Sequence, residues 1–183
     1  MQKCNKLFKL LATGLTLASA IAAGNANAGT EDFTANFNTT EFLLPAENCT
    51  SSHQGGIGVG AGTTNLFTKK PETQKTTAIL ASFDCVNPNP DGTLSFGPGT
   101  FTITGPGGES LSATYTGTLT WTRTDPVTKL PVYAFSNANF NITGGTGRYV
   151  RAGGAGTISG TETINFTTGT AQGSLSAVGK IVY

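Results

Sequence analysis

SLSATYTGTLTWT, residues 110–122, alternates without a slip. Leu111, Ala113, Tyr115, Gly117, Leu119 and Trp121 fall on one side of an extended chain, and Ser112, Thr114, Thr116, Thr118, Thr120 and Thr122 on the other. Successive side chains of a strand point to opposite faces, so the run predicts a strand buried on one face and wet on the other. Threonine suits the wet face because it is both polar and β-favouring.

The same period recurs outward from this stretch. Strands are expected near 32–43, 56–67, 76–86, 93–104, 110–123, 132–142, 155–166 and 171–182. Between them lie turn-forming clusters: PNPDG at 88–92, TGPGGE at 104–109, TDPVTKLP at 124–131, GGTGRYVRAGG at 144–154 and TTGT at 167–170. Helix signals are nearly absent after residue 28. Eight strands with short connections predict an all-β chain, a single eight-stranded antiparallel β-barrel whose closure removes sticky edges. A β-sandwich is the competing solution. On the last two strands, Gly173, Leu175, Ala177, Gly179 and Ile181, and Ile158, Gly160, Glu162, Ile164 and Phe166, share inward phase. Small residues alternating with large ones suit a narrow interior, either filled by side chains or left with one small cavity.

The first 28 residues read differently. Lys3, Lys6 and Lys9 precede the apolar LFKLLATGLTLASAIAA, and Ala26-Asn27-Ala28 supplies a small-x-small cleavage site. Residues 1–28 are therefore expected to be a signal peptide and 29–183 the β-barrel domain, exported to the periplasm or the cell exterior. Taking those three lysines from the 11 basic and 10 acidic side chains leaves a net charge of −2. A weakly acidic domain without a basic stripe is a poor nucleic-acid binder. No later stretch is apolar for long enough to span a bilayer as a helix.

Cys4 leaves with the signal segment, so Cys49 and Cys85 are the expected disulfide of an oxidising compartment. Two thiols and the single His53 make a poor ligand set for a metal, and no cofactor motif is present. Gly145-Thr146-Gly147-Arg148-Tyr149-Val150 breaks the dinucleotide-binding pattern at its last position, with no helix after it. The corner reads as a glycine-rich turn with Tyr149 packed as a lid on the barrel end.

GGTGRYVRAGGAGTISGT (144–161) resembles the "GGTGRF-x-x-A-x-G-x-G" corner of small secreted bacterial proteins similar to the barrel of allene oxide cyclases and plant dirigent proteins. ITGPGGESLSATYTGTLT (103–120) resembles the strand–turn–strand of that set, with Gly107-Gly108-Glu109 where Asn-Gly-Asp is usual. GGIGVGAGTTNLFT (55–68) resembles its "G-x-G-x-x-T-H-L-G-x-F-T" segment, with Asn65 in place of His and a glycine missing after Leu66. The resemblance implies an eight-stranded antiparallel barrel. It also implies the class of chemistry those proteins perform: allene oxide cyclases isomerise a lipid epoxide in an apolar cavity with a carboxylate and an ordered water, and dirigent proteins hold phenoxy-radical-derived intermediates with pocket carboxylates and an Arg. No catalytic residue of either group aligns onto this chain, so none is carried over.

From the residues themselves, Glu162 is the candidate acid–base group: it shares parity with Ile158, Ile164 and Phe166, so if that face points inward a carboxylate lines the barrel, where desolvation raises its pKa, and the alternative is that it lies at the barrel mouth or that a bulge flips the phase. Glu41 shares parity with Phe33, Ala35 and Phe37 and raises the same question. Tyr115, Trp121, Arg148, Tyr149 and Glu162 are the candidates to line a ligand pocket. Three functions compete: a module binding a small apolar molecule, an isomerase of the allene-oxide-cyclase type, and a fimbrial subunit that donates a terminal strand to its neighbour. Homo-oligomer formation stays open on these observations.

Overall fold

The computed structural model describes residues 29–45, 49, 54–71 and 73–183. The proposed signal segment, with Cys4, and His53 lie outside these residues. Eight strands follow one another: β1 (Thr30–Pro45), β2 (Gln54–Thr64), β3 (Thr76–Pro88), β4 (Leu94–Thr104), β5 (Ser110–Thr124), β6 (Pro131–Gly145), β7 (Gly153–Asn165) and β8 (Thr170–Val182). Each pairs antiparallel with the next, and β1 returns to pair with β8 from Thr30↔Val182 to Phe42↔Thr170. The sheet is a closed barrel, not a sandwich. Closure also leaves no unpaired strand edge for the subunit-to-subunit strand donation that the fimbrial reading needs.

Alternation decides what faces inward. Phe33, Ala35 and Phe37 of β1, Leu111, Ala113 and Tyr115 of β5, and Ala177 and Ile181 of β8 are all buried in one central core. Aromatic rings meet edge-on across it, as in Phe33–Phe140 at 5.4 Å between centroids. β2 inverts the common pattern: Gly56, Gly58, Gly60 and Gly62 share one parity, while Ile57 and Val59 of the other stand exposed on the outside. One stave of the barrel thus contributes almost no inward volume.

The two ends differ. At one, a short 3₁₀ turn (Gly147–Tyr149) carries Tyr149 into a fully buried position. Gly147 turns there at φ 60°, a left-handed conformation that favours glycine. The Tyr149 hydroxyl accepts a hydrogen bond from the Phe67 backbone N–H at 3.0 Å. The Phe67 and Tyr183 rings each pack edge-on against Tyr149 with centroids 5.3 Å away. Asn65 stitches the same end to β1, accepting from the Thr34 N–H at 2.9 Å and donating to the Asp32 carbonyl at 2.6 Å. At the other end, where β1, β3, β5 and β7 terminate, the described residues leave a mouth. The Cys49–Cys85 disulfide is formed there and ties Cys49 to β3.

Two sequence expectations are corrected at the open end. Trp121 follows the inward parity of β5 but is 54% exposed, because the strand outruns the barrel and is exposed from Thr120 to Thr124. Phe166 falls just past β7, in the turn before β8, and is largely exposed.

Candidate functional site

Glu41 on β1, Asp84 on β3 and Glu162 on β7 project into the barrel near its open mouth. Each sits opposite a glycine across the strand ladder: Glu41↔Gly58, Asp84↔Gly56 and Glu162↔Gly173. The missing side chains make the room. A Cβ on Gly56 would lie 1.7 Å from Glu41 Oε1 and 2.9 Å from Asp84 Oδ1. One on Gly173 would lie 2.6 Å from Glu162 Cγ. A glycine at these positions is what lets a carboxylate lie along the inner wall.

The surroundings are apolar. Phe37, Phe96, Phe101, Phe135 and Leu119 share a cavity of about 60 Å³ with the three carboxylates and Tyr115. Above it, a mouth of about 250 Å³ is walled by Leu43, Leu94, Ile164 and Phe166, and the two spaces share Glu41, Val86, Leu119 and Glu162. The inner cavity alone has room for a few waters. Together the two approach roughly 300 Å³, the lower end of small-molecule sites.

Asp84 and Glu162 are buried, and Glu41 is partly so. The Tyr115 hydroxyl donates to Asp84 Oδ2 at 2.6 Å. Asp84 Oδ1 is buried and has no hydrogen-bond partner. Among the described residues no Lys, Arg or His lines either space. Burial therefore pushes Glu162 up to about 7, with the Asp84 charge adding to the effect. Burial likewise lifts Asp84 to about 6, against the Tyr115 hydrogen bond that pulls it down. Glu41 is raised well above the ordinary carboxylate range, by burial first and then by Glu162 and Asp84. Burial and the neighbouring Asp84 charge also hold the Tyr115 phenol well above its usual value. The site is a group of carboxyls that holds protons near neutrality, the condition for general acid–base work.

The structure brings Tyr115, Glu162 and Glu41 together here and places Tyr149, Arg148 and Trp121 elsewhere. Tyr149 is the plug of the opposite end. Arg148 lies outside that plug, its guanidinium 4.9 Å from the Tyr149 ring centroid and donating to the Thr68 carbonyl at 3.1 Å. Trp121 stands on the projecting end of β5. Asp84 escaped the sequence reading, although it shares parity with Ala78, Leu80 and Val86 and the same alternation would have exposed it.

No family description matches the sequence, and no curated protein matches it. Among solved structures the chain is similar to the pterocarpan synthase dirigent protein, with 14% identity, coverage of 84% of this chain and 86% of that one, and a TM-score of 0.41. The barrel assignment rests on the strand pairing itself.

Proposed function

We propose that this chain is an exported barrel that holds a small, largely apolar molecule in the cavity at its open mouth. The observation that carries this reading is an apolar cavity that shares walls with a mouth at one end of the barrel, its ionisable groups among the described residues being Glu41, Asp84, Tyr115 and Glu162. Export is supported by the Cys49–Cys85 disulfide. Among the described residues no helix is long and apolar enough to cross a membrane. The test is gentle native mass spectrometry of the protein purified from its own host. A discrete adduct that disappears on unfolding is expected; a bare polypeptide in every preparation counts against the reading.

A second reading, proton-transfer catalysis on the bound molecule, is favoured by one specific arrangement. Glu162, held up to about 7, shares the cavity with the hydrogen-bonded Asp84–Tyr115 pair. A carboxyl that is half-protonated near neutrality can take a proton from one atom of a ligand and return it to another. The wild-type protein would then exchange an acidic C–H of the recovered adduct for deuterium in heavy water, and Glu162→Gln would not. Equal exchange by both proteins leaves binding alone.

A further inference from the structure

The cavity holds an unmatched set of charges. Three carboxyls converge from β1, β3 and β7, and among the described residues no cationic side chain lines the space. Asp84, only 5% exposed, has one oxygen satisfied by Tyr115 and the other without any partner. A buried acceptor left unpaired is costly, and native structures satisfy nearly all of them. Gly56 makes room for the Glu41 and Asp84 carboxylates and Gly173 for Glu162, so the space is kept by the backbone ladder. Around it stand the rings of Phe96, Phe101, Tyr115 and Phe135, and aromatic walls can attract organic cations. Among the described residues no group of His, Cys, Asp or Glu is gathered tightly enough to hold a metal ion.

We propose that the barrel cavity recognises a protonated amine on a compact apolar body, its ammonium donating to Asp84 Oδ1 and to the Glu41 and Glu162 carboxylates while the body fills the apolar mouth. The inference rests on the reading of the barrel as a binding module and names the polar end of what it binds. An ammonium has three donors and no acceptor, which matches a cluster of ionised carboxylates. An alcohol offers one donor. A carboxylate adds a like charge.

The proposal makes binding pH-dependent in a defined sense. The titratable groups facing the ammonium position are Glu41 from β1, Asp84 from β3, Tyr115 from β5 and Glu162 from β7. Tyr133 on β6 lies opposite Glu162 in the ladder, and β2, β4 and β8 bring no titratable side chain to the cavity wall. At low pH the carboxyls are protonated and cannot pair with a cation. With Asp84 at about 6 and Glu162 at about 7, the charges develop as pH rises through neutrality. An amine that stays protonated over that range gains affinity with pH, and a neutral isostere does not.

The experiment compares benzylamine, benzyl alcohol and benzoate by calorimetry and NMR line shifts, on the purified full domain with its disulfide intact, at about pH 5 and about pH 8. Benzylamine is expected to bind at least roughly tenfold tighter than benzyl alcohol at the higher pH, with most of that advantage gone at the lower. Asp84→Asn and Glu162→Gln should each erase most of the amine's advantage over the alcohol. If one variant fails to fold, the other and the pH comparison still decide. Equal binding of alcohol and amine, or preference for benzoate, overturns the inference while leaving the binding-module reading in place. No binding by any of the three also overturns it, and the host-derived adduct then judges the broader reading separately.

Discussion

Glu162 shows how one residue ties fold to function. In the open chain its carboxyl has the ordinary value of 4.5, whereas in the barrel it holds its proton to about 7. The folded state therefore binds more protons than the unfolded one between those limits, and stability falls as pH rises through that window. At 1.36 kcal/mol per pH unit, the burden from Glu162 above neutrality is on the order of 3 kcal/mol. Asp84 at about 6 and the raised Glu41 act in the same direction. The wild-type protein should melt at higher temperature at about pH 5 than at about pH 8. Glu162→Gln should flatten that dependence and gain on the order of 2 kcal/mol at the higher pH, read by denaturant unfolding. A variant less stable than wild type at both pH values contradicts the assignment. Gly56→Ala tests the cradle from the other side. Its new Cβ would fall on the Glu41 carboxylate, so Glu41 should swing toward solvent and its titration return toward the ordinary carboxylate range, with the barrel still folded.

At the scale of elements, the 144–154 corner and β2 carry the instructive contrast. The corner advertises itself by its glycines, and the fold uses it as a plug. Tyr149→Phe should cost about 1–2 kcal/mol, because the Phe67 N–H loses its acceptor in a partly buried place. Tyr149→Ala should cost about 3–5 kcal/mol through the cavity it opens. Near-neutral unfolding free energies for both would remove the plug from the account. Alternation made the strands legible, and the phase of β7 pointed Glu162 inward. Asp84 was equally legible by parity on β3, but an isolated acid among Ser82, Phe83 and Cys85 draws no attention without its neighbours. The pairing of each carboxylate with a glycine was not legible, because register between strands depends on bulges, such as the shift between Phe83 and Val86, that local sequence does not announce. Trp121 misled for a related reason: parity says which face a residue takes, not whether the barrel extends far enough to cover it.

For the whole molecule, closure is the organising fact. Pairing β1 with β8 removes every open edge, concentrates the core in one column and leaves a single plugged end and a single mouth. The disulfide restrains the chain beside that mouth, joining Cys49 to Cys85 across 36 residues. Replacing both cysteines by serine should cost about 3–4 kcal/mol in the loop-closure picture, measured as a drop in denaturant midpoint with little change in slope. Loss of both disulfide and adduct together would show that the mouth, as well as the fold, depends on it. The most direct test of the account is a ¹³C NMR titration of the Glu162 side-chain carboxyl in the folded, disulfide-bonded protein. The account predicts a midpoint of about 7. A midpoint near the ordinary 4.5 would place that carboxylate in water and contradict the inward-facing, proton-holding site on which the proposed function is built.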